Sequence, residues 1–133
     1  MDKTCLIIIN HRILNSQEME LRQLFNVKQL QFLPESLSEL WKNIPADEDN
    51  ELIGLTQLKD YMLKVTKEND LVWIQGDFGA TFYLVNVCFN FNRIPIYAFS
   101  LRKSTEKQLL GNSISKQSVF EHITFKKYRR PDE

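Results

Sequence analysis

The apolar run Leu71-Val72-Trp73-Ile74 passes without a spacer into Gln75-Gly76-Asp77-Phe78-Gly79-Ala80-Thr81. A short, continuous apolar run of this kind predicts a strand buried on both faces. The two glycines that follow allow a tight turn. The segment after them, apolar on most sides to about Phe91, predicts a buried helix. A strand turning directly into a buried helix restricts the chain to α/β architectures, in which helices cover a sheet.

The rest of the chain agrees with that restriction. Cys5 to Ile9 is a second continuous apolar run, predicting a buried strand that ends on Asn10-His11. Asn15 and Glu18 form a possible capping pair for a first helix over 15–25, with Leu21, Leu24 and Phe25 at helical spacing. Val27 to Leu33 alternates loosely, as a strand does. Pro34 suits the first turn of a helix, and Leu37, Leu40, Trp41 and Ile44 form one apolar stripe before Pro45 stops it. Residues 46–51 read as a solvated acidic connector; the turn glycine of a calcium loop is missing. Leu52, Leu55, Leu58, Met62 and Val65 mark a third helix ending near 68–70. Ile94 to Phe99 predicts a further strand. A last strand carries Val119, Ile123 and Phe125 on one face and Phe120, His122 and Tyr128 on the other. The polar stretch from Arg102 to Gln117 is expected to be a mobile loop or a short helix. The prediction is one α/β domain over 1–133 with a largely parallel sheet and an antiparallel C-terminal strand.

Charge narrows the partners. Basic and acidic side chains balance at 17 each, so no global field favours a long nucleic acid or a membrane surface. Anion binding has to come from a local site. The two cysteines, Cys5 and Cys88, sit in apolar runs and read as buried thiols. The apolar run after Lys3-Thr4 is too short for a signal sequence or a membrane span, which leads to the expectation of a cytoplasmic protein.

In open α/β sheets, ligands bind beyond the carboxyl ends of the strands, where strand order reverses. Those ends here are Asn10-His11, Gln75-Gly76-Asp77, and Ser100 with Arg102. The junction from Gln75 through Gly76, Asp77, Phe78, Gly79, Ala80 and Thr81 is the expected ligand site, since a helix start offers N–H groups to a phosphate. It is neither a Walker loop nor a dinucleotide fingerprint. Asp77 serves as a helix cap or bonds a ribose hydroxyl; Gln75 reads a base edge or holds the turn. His11 suits proton transfer, or organises the turn it begins. Arg102 suits a phosphate clamp, or is an ordinary surface arginine. His122 reads as structural, and the basic end 126–130 as a solvated tail. No His, Cys or carboxylate set has metal-ligand spacing, so no metal and no cofactor are expected.

Taken in order, Asn10-His11, Gln17, Leu33-Pro34, Trp41, Ile44-Pro45, Gln75 to Ala80, Pro95-Ile96-Tyr97, Arg102 and Phe120-Glu121-His122 with Phe125 and Tyr128 resemble one family. It is a small standalone CRISPR-associated family of the Csx series, found beside type III systems and grouped with the ring nucleases. The resemblance spans nearly the whole chain. It departs after Pro95-Ile96-Tyr97, where Ala98-Phe99-Ser100-Leu101 keeps only Ser100 of an expected run of hydroxyl residues. It implies a Rossmann-like, three-layer fold related to CARF domains and a homodimer. It also implies cyclic oligoadenylate, most plausibly the cyclic tetramer, as a ligand degraded to silence antiviral signalling. Such ring opening needs no metal, because a ribose 2′-hydroxyl attacks the adjacent phosphate; the protein has only to align it and stabilise charge. A binder that only sequesters the ring is the alternative.

Overall fold

The computed structural model describes the backbone of residues 2–108 and 114–133 and the side chains of 2–102 and 119–133. Along the chain run β1 (Lys3–Ile8), α1 (Asn15–Leu24), β2 (Val27–Phe32), α2 (Glu35–Lys42) and α3 (Glu48–Val65). They are followed by β3 (Leu71–Ile74), α4 (Phe78–Asn90), β4 (Ile94–Gln108) and β5 (Ile114–Lys127). The strands form one mixed sheet in the order β2-β1-β3-β4-β5. β1 is parallel to both β2 and β3, β3 is parallel to β4, and β5 alone runs antiparallel. The fold is therefore α/β, mostly parallel, with an antiparallel C-terminal pair.

Period-two alternation sorts the strand side chains into two cores. Leu6, Ile8, Val72 and Ile74 pack with α2, α3 and α4 through Trp41, Leu58, Met62 and Leu84. Cys5, Ile7, Trp73, Ile96 and Phe125 pack on the other side with Leu21 of α1. The two cysteines belong to different cores, and burial pushes both thiols up to about 12. Neither is a thiolate nucleophile near neutral pH.

The pole of the sheet where β1 and β3 begin is locked by polar bonds. Asp70, 1% exposed, accepts the backbone N–H groups of Thr4 and Lys67 at 3.0 and 2.8 Å. Arg93 donates to the Thr66 carbonyl at 2.6 Å and the Thr66 hydroxyl at 3.0 Å. Asn92 takes a left-handed φ of 59° after α4, and the Arg93 N–H returns to the Cys88 carbonyl at 2.9 Å, closing the helix and aiming β4.

Four local expectations change. Asn15 does not cap α1; Leu14 does, and Gln17 reaches back to accept the Leu14 N–H at 2.9 Å while Glu18 pairs with Arg22. The acidic connector is the start of α3, with Asp47 accepting the Asn50 N–H at 3.0 Å and acidic side chains at the positive end of the helix dipole. Residues 102–108 and 114–117 are not a loop or helix but strand, since the β4–β5 ladder runs from Ile96↔Lys127 to Gln108↔Ile114; residues 109–113 lie outside the described ones. Finally, Phe99 pairs with Thr124 but Ser100 with His122, leaving Ile123 as a bulge. The bulge reverses the alternation, so His122 joins Phe125 on the α1 face, their rings 5.0 Å apart.

Candidate functional site

The chain leaves β1 for β2 on one side while β3 lies on the other, so strand order reverses at β1. Beyond the carboxyl ends there, a cavity of about 630 Å³ is lined by His11, Arg12, Gln17, Gln75, Ser100 and His122, with Leu14, Ala98 and Phe120 around them. A second cavity of about 440 Å³ shares His11 and Arg12 and continues to Asn10, Ser38 and Lys42. Both histidines of the chain thus face one space, brought there from the first and last strands of the sequence.

Each histidine is held differently. His11 is exposed; its Nδ1 lies 3.1 Å from the Arg12 carbonyl oxygen, and its ring meets Trp73 edge-on at 6.3 Å. His122 is 7% exposed and places Nε2 at 2.7 Å from Glu20 of α1, which is itself 12% exposed. The Thr124 hydroxyl and the Phe125 N–H donate to the other Glu20 oxygen at 2.8 and 2.9 Å. Burial pushes the Glu20 carboxyl up, but the hydrogen bonds from His122, Phe125 and Thr124 outweigh it and hold the group below its ordinary value. His122 Nδ1 faces the Gln17 amide nitrogen at 3.5 Å.

The Gln75 junction divides. Gln75 lines the cavity, yet its side-chain oxygen already accepts Trp73 Nε1–H at 2.7 Å and the Ala98 N–H at 2.8 Å, so it holds the turn and ties β3 to β4. Gly76 is required by packing: a Cβ there would lie 2.7 Å from the Trp41 indole, whose N–H donates to the Gln75 carbonyl at 3.0 Å. Asp77 caps α4, its carboxylate accepting the Ala80 N–H at 2.9 Å. Of the two roles open to it in the sequence, the helix cap is the one this bond makes. Phe78 is 94% exposed, and with Thr81 it borders a different cavity, near Tyr128 and Pro131. Gly79 borders yet another groove, beside α3. Ala80 is buried in the core.

On β4, Ser100 and Arg102 point to the same face, opposite His122 and Phe120 on β5. The Arg102 guanidinium lies 6.0 Å from the Phe120 ring centre, and Phe120 is 74% exposed at the cavity mouth. The structure therefore gathers His11, Gln75 and Ser100, with Arg102 one step outward and Asn10 in the adjoining cavity. Arg12 and Glu20 were not singled out in the sequence, and His122, which reads there as structural, lines the same cavity. The signal for His122 was present in the rarity of histidine, but the bulge that turns it inward was not legible. Among the described residues, no three His, Cys, Asp or Glu side chains gather as a metal-binding set, and no helix is long and apolar enough to cross a membrane.

Comparison with known proteins gives a family but no activity. A family model described as "Uncharacterized protein MJ1673 family" matches residues 3–126. The protein described as "Uncharacterized protein MJ1673" from Methanocaldococcus jannaschii is 37% identical over 122 residues, 92% of this chain and 94% of that relative. No solved structure matches. Because the matched residues run from the start of β1 to the penultimate residue of β5 and take in every wall of the cavity, the chain belongs to the MJ1673 family.

Proposed function

We propose that the protein is a ring nuclease of type III CRISPR defence, binding a cyclic oligoadenylate, the cyclic tetramer foremost, and opening it without a metal. A ribose 2′-hydroxyl attacks the neighbouring phosphate, and the linear product carries a 2′,3′-cyclic phosphate end. The observation that carries this reading is the cavity at the strand-order reversal, which joins two imidazoles, a serine hydroxyl and an arginine in one space. Two imidazoles supply the proton acceptor and donor that such a transesterification needs. Arg12, with Arg102 outward, offers positive charge to the phosphoryl oxygens. Exposed Phe120 offers a face for an adenine to stack on. The adjoining cavity gives a larger ring somewhere to continue.

The family resemblance drawn from Asn10-His11 and the Gln75–Ala80 segment supports the ligand class, and the strand order supports a Rossmann-like, three-layer, CARF-like fold. Balanced charge supports a small anionic ligand over a long nucleic acid in the cytoplasm. Two copies pairing across the cavity mouth belong to the same reading, and sedimentation of the free protein tests that part.

Incubating the protein with cyclic tetra-adenylate in EDTA tests the activity. Chromatography is expected to show a linear product. Tight binding with an intact ring would make the protein a sponge for the messenger, and an intact ring without binding would refute the ligand as well.

A further inference from the structure

We propose that His122, oriented by Glu20, is the proton acceptor of this site and that His11 is its proton donor. The inference rests on the ring-opening reading and assigns its acid and base.

An ionised carboxylate only accepts hydrogen bonds, and Glu20 is satisfied on both oxygens by three protein donors. The ring nitrogen facing it, His122 Nε2, must therefore carry a proton. In the neutral imidazole the lone pair is then on Nδ1. That atom meets the Gln17 amide nitrogen, whose partner oxygen is fixed by the Leu14 N–H. Gln17 therefore presents N–H to Nδ1, which agrees with a lone pair there. At 3.5 Å this contact is at the limit of a hydrogen bond, so a ligand hydroxyl can replace it. Ser100 is the cross-strand partner of His122 and shares the same cavity wall.

His11 has the opposite arrangement. Its Nδ1 faces a carbonyl oxygen, which calls for N–H at that atom and leaves Nε2 to exchange a proton with ligand and solvent. The ring is exposed, so that atom is open to both.

His122 Nδ1 takes the 2′-hydroxyl proton as the 2′-oxygen bonds to phosphorus, and the imidazolium formed is stabilised by the Glu20 carboxylate. The bond from phosphorus to the 5′-oxygen breaks, and that oxygen takes the proton from Nε2 of protonated His11. No water is consumed, and the two rings reset through solvent. Glu20 is a positioning residue, since it acts only through His122. Among the described residues, Glu20 of α1 is hydrogen-bonded to His122, and His11 and Arg12 after β1 line the same cavity; Arg102 lies across from Phe120, one step outward, and Glu121 adjoins His122 in the chain.

The test compares wild type, His122→Gln, Glu20→Gln and His11→Ala for cyclic tetra-adenylate cleavage and binding, with folding checked by circular dichroism. His122→Gln keeps a donor for Glu20 but cannot take up a proton. Its cleavage rate is expected to fall at least about 100-fold with binding changed less than about threefold. Glu20→Gln is expected to lose about tenfold in rate and to move the acidic limb of its pH–rate profile to lower pH, because the charge favouring imidazolium is gone. His11→Ala is expected to lower the maximal rate and to remove the alkaline fall of the pH–rate profile, which in wild type reports loss of the donor's proton. If wild type cleaves while folded His122→Gln retains its rate, this assignment is overturned and the ring-opening reading stands. Should His122→Gln fail to fold, an unmoved pH–rate profile in Glu20→Gln overturns it equally. A wild type that leaves the ring intact overturns both.

Discussion

At the scale of single residues, the junction after β3 shows how one motif can carry different physical loads. Gly76 has no room for a methyl group against the buried Trp41 ring, whereas a Cβ on Gly79 would meet only the Asp77 carboxylate at an ordinary 3.5 Å. Gly76→Ala is therefore expected to destabilise the fold by about 1–3 kcal/mol, as overpacking does. Gly79→Ala, inside α4, is expected to leave stability unchanged or raise it by up to about 1 kcal/mol. Urea unfolding of the two variants checks both. A loss of stability in Gly79→Ala equal to that in Gly76→Ala would contradict this account of the turn. Sequence alone located the junction and offered a cap as one role of Asp77. It had no means of seeing Trp41, which arrives from a different helix to decide what position 76 tolerates.

Between elements, the contact that matters most joins α1 to β5 through Glu20, His122, Thr124 and Phe125. The Glu20 carboxyl sits below its ordinary value, so its contribution is fully present above the pKa it has in the unfolded chain. That contribution is lost as pH falls through the lower folded value. Glu20→Gln is expected to cost about 1–3 kcal/mol near neutral pH, the scale of hydrogen bonds to a charged group. The gap from wild type should close as pH drops below the ordinary glutamate range. Thermal melts over a pH series test this; a gap that stays constant down to the acid transition would place the cost in packing instead. The elements themselves were largely legible, because the β1 and β3 runs and the α2 stripe each have one strong period. The outer parts of β4 and β5 were not, since the sequence there is polar without a period-two alternation and reads like a loop. The single extra residue at Ile123 was likewise invisible to an alternation rule, and it decides which way His122 faces.

For the whole molecule, the order β2-β1-β3-β4-β5 converts two distant segments into one site: the turn after β1 and the middle of β5 meet only because α1 and the sheet hold both. Order of strands is set by long-range packing, so the sequence could offer strand ends as candidates without saying which of them meet. The opposite pole is closed by the bonds of Asp70 and Arg93. The proposed ring opening uses the ligand's own 2′-hydroxyl as nucleophile. It is tested most directly by giving the protein, in EDTA, cyclic tetra-adenylate and its fully 2′-O-methylated analogue side by side, with products read by mass spectrometry. A linear product with a 2′,3′-cyclic phosphate end is expected from the first and an intact, bound ring from the second. Cleavage of the methylated ring, or survival of both, would contradict it.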